Sequence, residues 1–285
     1  MKPVVDLKDY SWKTAEIIFD FFKKETDCLD AQGNLLVAPK YVVCIDDDMV
    51  SAYYAAIIMN KALKQFGTYP VLLCAGGVGM LSKYLNKQAD GTVISEGEKL
   101  KRVCLRLGDF PQIVVLEKGN NTGAVLKEII DYVNSDTDAV IFCPTQRMSK
   151  RLERTVAFST KQFPGSKALN AYWYVHGESL SDMLQLYNGK ILAGGLPLLS
   201  EAAALYDRLG TDKYVGLYQA EYDGNIPKYV RFAGYYLAQN YPVRVPRSFF
   251  SAPLQFLKMY SSIVWYRKAI AVDLEAKIHT WREAL

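Results

Sequence analysis

With 285 residues, half of them hydrophobic, the chain is long enough for one large core or for a core with a satellite domain. Its charged share of 22% is ordinary for a globular protein, and a net charge of +4 is too small to argue for a nucleic-acid partner. No run reaches the roughly 18 apolar residues of a membrane-spanning helix, and no signal segment opens the chain.

The charge is uneven. Residues 226–285 carry nine Lys/Arg against three Asp/Glu, a balance of +6 that leaves −2 for the rest. The five cysteines, Cys28, Cys44, Cys74, Cys104 and Cys143, are odd in number and lack C-x-x-C spacing. Cys44, Cys74 and Cys143 sit in apolar, strand-like runs, where a thiol acts as a small core residue. This usage fits a reducing compartment, and the expectation is a soluble cytoplasmic protein.

In chain order, Trp12, Ala15, Ile18, Phe19 and Phe22 recur at helical spacing and predict an amphipathic helix over 11–25 that covers a sheet. Tyr41-Val42-Val43-Cys44-Ile45 reads as a strand buried on both faces. Asp46-Asp47-Asp48 ends it, and a helix follows over 50–66 with Gly67 as its C-cap. A second strand covers 71–75, so residues 41–75 make one βαβ unit. A polar loop spans 76–92, and a helix spans 96–107. Strands at 113–116, 139–143 and 171–175 alternate with helices at 123–133 and 146–161. This alternation predicts an α/β fold, a Rossmann-like parallel sheet flanked by helices with right-handed crossovers.

After His176 the pattern becomes helical and rich in tyrosine, with a long helix from about 253 to 283. The expected division is a Rossmann-like domain over 1–176 and a mostly helical part over 177–285. The long helix packs either on its own domain or on a second copy, which keeps a homodimer open. Aromatics at helical spacing in this basic part argue for core packing and against nucleic acid.

Open α/β sheets bind ligands at the carboxyl ends of their strands, and the candidate residues follow from that. Gly76, Gly77, Val78 and Gly79 form a glycine loop that lets a ligand approach the backbone, or else a turn that needs positive φ. It matches neither the dinucleotide fingerprint nor the P-loop. Asp46 and Asp47 are suited to ribose hydroxyls or Mg²⁺. The competing reading has Asp48 capping the next helix, the other two being solvated. Three adjacent carboxylates repel an anion unless a cation balances them. Ser95 with Glu98 fits a capping box. Glu96 follows the glycine loop and Glu117 ends the third strand, which makes both candidate general bases. Asn121 and Thr122 open one helix; Thr145 and Arg151 lie at the start of another, where anions are favoured. His176 follows the last strand, where it either faces this crevice or sits in a simple turn.

In order and spacing, these segments resemble the YdcF branch of the SanA/ElyC/YdcF family. The resemblance rests on Val42–Ile45, Ala75-Gly76-Gly77-Val78-Gly79, Ser95-Glu96-Gly97, Glu117 with Asn121-Thr122, and Pro144-Thr145 with Met148 and Lys150-Arg151. It implies a Rossmann-like sheet with an extra helical part, a site in the crevice lined by these loops, and S-adenosylmethionine as a ligand with no settled reaction. The lack of a membrane segment points to the soluble branch. Departures fall at Asp46-Asp47-Asp48, where the family has a glycine-containing turn. They also fall at Ala124 and Val125, where it has Glu-Asn, and at Arg147, where it has histidine. Three readings follow: a binder of an adenosyl or nucleotide-type small molecule, a metal-assisted hydrolase or transferase acting through Glu96 or Glu117, and a scaffold with a degenerate site that uses its C-terminal part for protein contacts.

Overall fold

A computed structural model describes residues 23–45, 49–78, 86–120, 122–162, 167–177 and 274–285. Four apolar runs form the strands β1 (Tyr41–Cys44), β2 (Val71–Ala75), β3 (Ile113–Leu116) and β4 (Ala139–Phe142), and an aromatic segment forms β5 (Asn170–Trp173). The amphipathic segments form the helices: α1 (Val50–Phe66), α2 (Glu96–Leu107), α3 (Thr122–Val133), α4 (Gln146–Gln162) and α5 (Leu274–Ala284). Lys24–Gly177 and Asp273–Leu285 make one compact unit. No described helix is long and apolar enough to cross a membrane. The helix expected over 11–25 lies outside the described residues except for 23–25, which are not helical. So does the expected long C-terminal helix, apart from α5.

All strand pairs are parallel, in the order β3-β2-β1-β4-β5. β1 therefore lies at the centre, and the strand order reverses between β1 and β4. One face carries Val43, Ile45, Leu73, Ala75, Val140 and Phe142, packed with Leu126 and Ile129 of α3 and Leu152 and Val156 of α4. Side chains alternate along a strand, so Val42, Cys44, Leu72 and Cys74 belong to the other face. There α1 packs on β1 and α2 on β2. Burial on both faces is what the continuous apolar runs require.

Helix ends follow local chemistry. Gly67 (φ 73°) closes α1 by donating its N–H to the Leu63 carbonyl. Ser95 Oγ caps α2 by accepting from Glu98 N at 3.0 Å. The start of α1 differs from expectation. Its N-cap is Met49, not Asp48, with φ 68° and no side-chain cap hydrogen bond. The turn is held differently: Ile45 N donates to Ser51 Oγ at 2.7 Å, and Ser51 is fully buried. The free edge of β5 is covered by the segment around Thr26 and Asp27, which precedes β1. Asp27 N donates to the Trp173 carbonyl, Trp173 N donates back to Asp27 Oδ1, and Thr26 and Val175 exchange bonds beside them. Covering an edge in this way removes unpaired strand groups.

Candidate ligand crevice

The loops after β2 and β3 meet. Gly76 N donates to Leu116 O at 2.8 Å and Gly77 N to Gly119 O at 2.9 Å. In return Glu96 N reaches Gly77 O at 3.2 Å and Gly97 N reaches Gly76 O at 2.7 Å. A Cβ on Gly77 would overlap the carbonyl oxygens of Glu117 and Gly119, and one on Gly97 would stand 2.6 Å from Cys74 O. The glycines thus let three backbone segments touch. The amides of Gly76 and Gly77 are committed to carbonyls, which leaves no N–H of theirs for a phosphate. Within the glycine stretch Gly76 and Gly77 are buried and Val78 is exposed, and Gly79 lies outside the described residues.

Glu96 and Glu117 come to this same junction. Glu96 Oε2 would be 3.0 Å from a Cβ on Gly76. Glu117 is exposed, and its Oε2 accepts from Ser95 Oγ at 2.8 Å. Ser95 therefore bridges α2 to the end of β3 while it caps α2. Glu128 of α3 accepts from Lys118 N at 2.9 Å and Gly119 N at 3.1 Å, which anchors the β3–α3 loop from within the protein. Thr122 is the first residue of α3; Asn121 lies outside the described residues.

A second junction lies where β1 and β4 end, at the reversal of strand order. Asp46 and Asp47 fall in the connection from β1 to α1, outside the described residues. Met49, next in the chain, is 1% exposed and left-handed, a strained state for a residue with a Cβ. The N-cap Met49 makes no side-chain cap hydrogen bond, and Ala52 N donates to the Met49 carbonyl at 3.1 Å. Across the reversal, Thr145 precedes α4 and its carbonyl accepts from Met148 N at 3.1 Å. Thr145 and Gln146 are each 2% exposed, and Gln146 Oε1 meets no hydrogen-bond donor. A buried carbonyl oxygen left unpaired costs about 1–3 kcal/mol. Arg151 lies on α4, with its side chain outside the described set.

His176 packs into an aromatic cluster. Its ring stacks on Tyr54 of α1 at 5.1 Å, and its Nδ1 is 3.0 Å from Tyr174 Oη. Tyr53 of α1 extends the cluster to Trp281 of α5, stacked at 5.4 Å. A groove of about 500 Å³ lies at the far end of α2, lined by Arg106, Asp109, Ile278 and Arg282 among others. It is away from the strand carboxyl ends, because α2 begins against Cys74 and runs the length of the sheet.

Gln146 is the residue that motif reading passed over. It stands within Pro144-Thr145-Gln146-Arg147, directly after Thr145. Nothing in the sequence distinguishes an amide that is buried without a partner from one on a solvated first turn. Strand order and crevice together define a doubly wound Rossmann-like α/β protein. No family model, curated protein or solved structure matches the chain.

Proposed function

We propose that the chain is a SanA/ElyC/YdcF-like protein that binds an adenosyl-type small molecule, S-adenosylmethionine first among them, between the ends of β1 and β4. The observation that carries this reading is the unpartnered, buried Gln146 Oε1 beside the reversal of strand order. Open α/β sheets place ligands at that reversal. The left-handed Met49 at the start of α1 adds strain on the opposite wall. Asp46-Asp47-Asp48 joins β1 to α1, and that charge favours a cationic ligand such as a sulfonium over a nucleoside phosphate. Gln146 Oε1 accepts from an amine of the ligand, and Asp46 or Asp47 holds its hydroxyls.

The test is isothermal titration and thermal shift of the full chain with S-adenosylmethionine, S-adenosylhomocysteine, AMP and ATP, each with and without Mg²⁺. A ligand at 100-fold over its Kd raises stability by about 2.7 kcal/mol. The expected result is a rise in Tm with the adenosyl sulfonium, reduced in Gln146→Met. Equal binding by Gln146→Met, or no shift with any adenosyl compound, refutes the reading. Gly77 variants are unsuited to this test, because any side chain there collides with the backbone of Glu117 and Gly119.

A further inference from the structure

Cys44 and Cys74 occupy the last position of β1 and the fourth position of β2, and they are register partners across the parallel pair. Their sulfurs are 3.4 Å apart. Cys104 of α2 packs onto them, and the three sulfurs lie within 4.8 Å of one another. All three residues are 0% exposed, and all are free thiols. Among the described residues no fourth cysteine, histidine or carboxylate joins the group.

We propose that Cys44, Cys74 and Cys104 form a three-sulfur site for a thiophilic metal ion, monovalent copper in preference to zinc. A metal about 2.3 Å from each sulfur in a trigonal plane needs sulfurs about 4.0 Å apart; Cys44 and Cys74 stand at 3.4 Å and all three sulfurs lie within 4.8 Å, so a small side-chain adjustment reaches that geometry. Soft sulfur donors select copper(I) and zinc over hard cations. Structural zinc takes four ligands; this set supplies three in a pocket closed to water, which favours the ion that accepts three. Each sulfur that binds exchanges its thiol proton for the metal, and that proton leaves to solvent.

The filled site would clamp β1, β2 and α2 together directly beneath the Gly76-Gly97 contact. Because the thiols are sealed in, loading accompanies folding.

The full-length chain, reduced and metal-free, is refolded anaerobically with one equivalent of copper(I) supplied as its acetonitrile complex, or with one of zinc(II), then desalted. Copper retained at one equivalent per chain, with an ultraviolet thiolate-to-metal absorption and X-ray absorption showing three sulfur neighbours, is the expected result. Cys28→Ala retains the full equivalent, and the triple Cys44→Ala, Cys74→Ala, Cys104→Ala variant falls to none. The X-ray absorption of the wild type decides the ligand set even if the triple variant does not fold. Zinc retained with three sulfurs while copper is lost supports the site and overturns the preference. No metal retained by the folded wild type overturns the site. So does metal with nitrogen or oxygen neighbours, or metal kept by the folded triple variant.

Discussion

Alanine in place of three glycines separates the reasons a glycine is needed. At Gly77 a methyl group would lie 2.9 Å from the Gly119 carbonyl carbon and closer still to the carbonyl oxygens of Gly119 and Glu117. All are backbone atoms and have no rotamer to move to. Two hydrogen bonds, Gly77 N to Gly119 O and Glu96 N to Gly77 O, must lengthen if the loops part. Overpacking costs about 1–3 kcal/mol and each lost hydrogen bond about 0.5–1.5 kcal/mol, so Gly77→Ala should cost about 3–4 kcal/mol. Gly67 has φ 73° with nothing within 4 Å of the added carbon, so Gly67→Ala meets only the left-handed penalty of about 1–2 kcal/mol. Gly177 has neither a positive φ nor a neighbour within 4 Å, and Gly177→Ala should stay within about 0.5 kcal/mol of wild type. Urea unfolding followed by circular dichroism measures all three. With m near 3 kcal/mol/M, Gly77→Ala lowers the midpoint by about 1 M or more. A Gly77→Ala cost no larger than that of Gly67→Ala would refute the account of the loop as a backbone junction.

Other substitutions test other joints. Gln146→Met removes an unpaired buried oxygen with an unbranched side chain of similar length, so the ligand-free protein should gain about 1 kcal/mol; a loss of stability would mean the oxygen has a partner. Ser95→Ala deletes both the cap to Glu98 N and the bond to Glu117, and should cost about 1–2 kcal/mol. A double-mutant cycle of Ser95→Ala with Glu117→Ala should show coupling, and additive costs would deny the bridge. Asp30 is held below the ordinary aspartate value, first by the backbone N–H of Asn34, with Gln32 and Gly33 adding to it. A depressed folded pKa means its contribution is complete above the unfolded value and fades as pH falls through the folded one. Asp30→Ala should therefore flatten the acid limb of stability against pH, and an unchanged limb would remove Asp30 from the account.

Much of the local structure is legible in the chain. The boundaries of α1 and α2 follow from Gly67, Ser95 and the apolar spacing, because caps and amphipathic periodicity are properties of neighbouring residues. The strand at 41 reads as buried on both faces from its β-branched run, and the alternation of strands with helices carries the parallel α/β class. One local reading missed: the α1 cap moved from Asp48 to Met49, because Ser51 reaches back to Ile45 across the turn.

Tertiary structure decided what brings distant segments together. A strand buried on both faces has no polar side to mark its neighbour, so the order β3-β2-β1-β4-β5 is set by packing and crossover handedness. That order moves attention from the glycine loop after β2 to the ends of β1 and β4. The glycines serve contacts with Glu117, Gly119 and Cys74, which lie far along the chain or on another strand. Cys44 and Cys74 each stand fourth in two successive five-residue apolar runs, a trace visible in the sequence. Only the parallel register and the seat of α2 place Cys104 against them, because side-chain convergence is a property of the packed sheet.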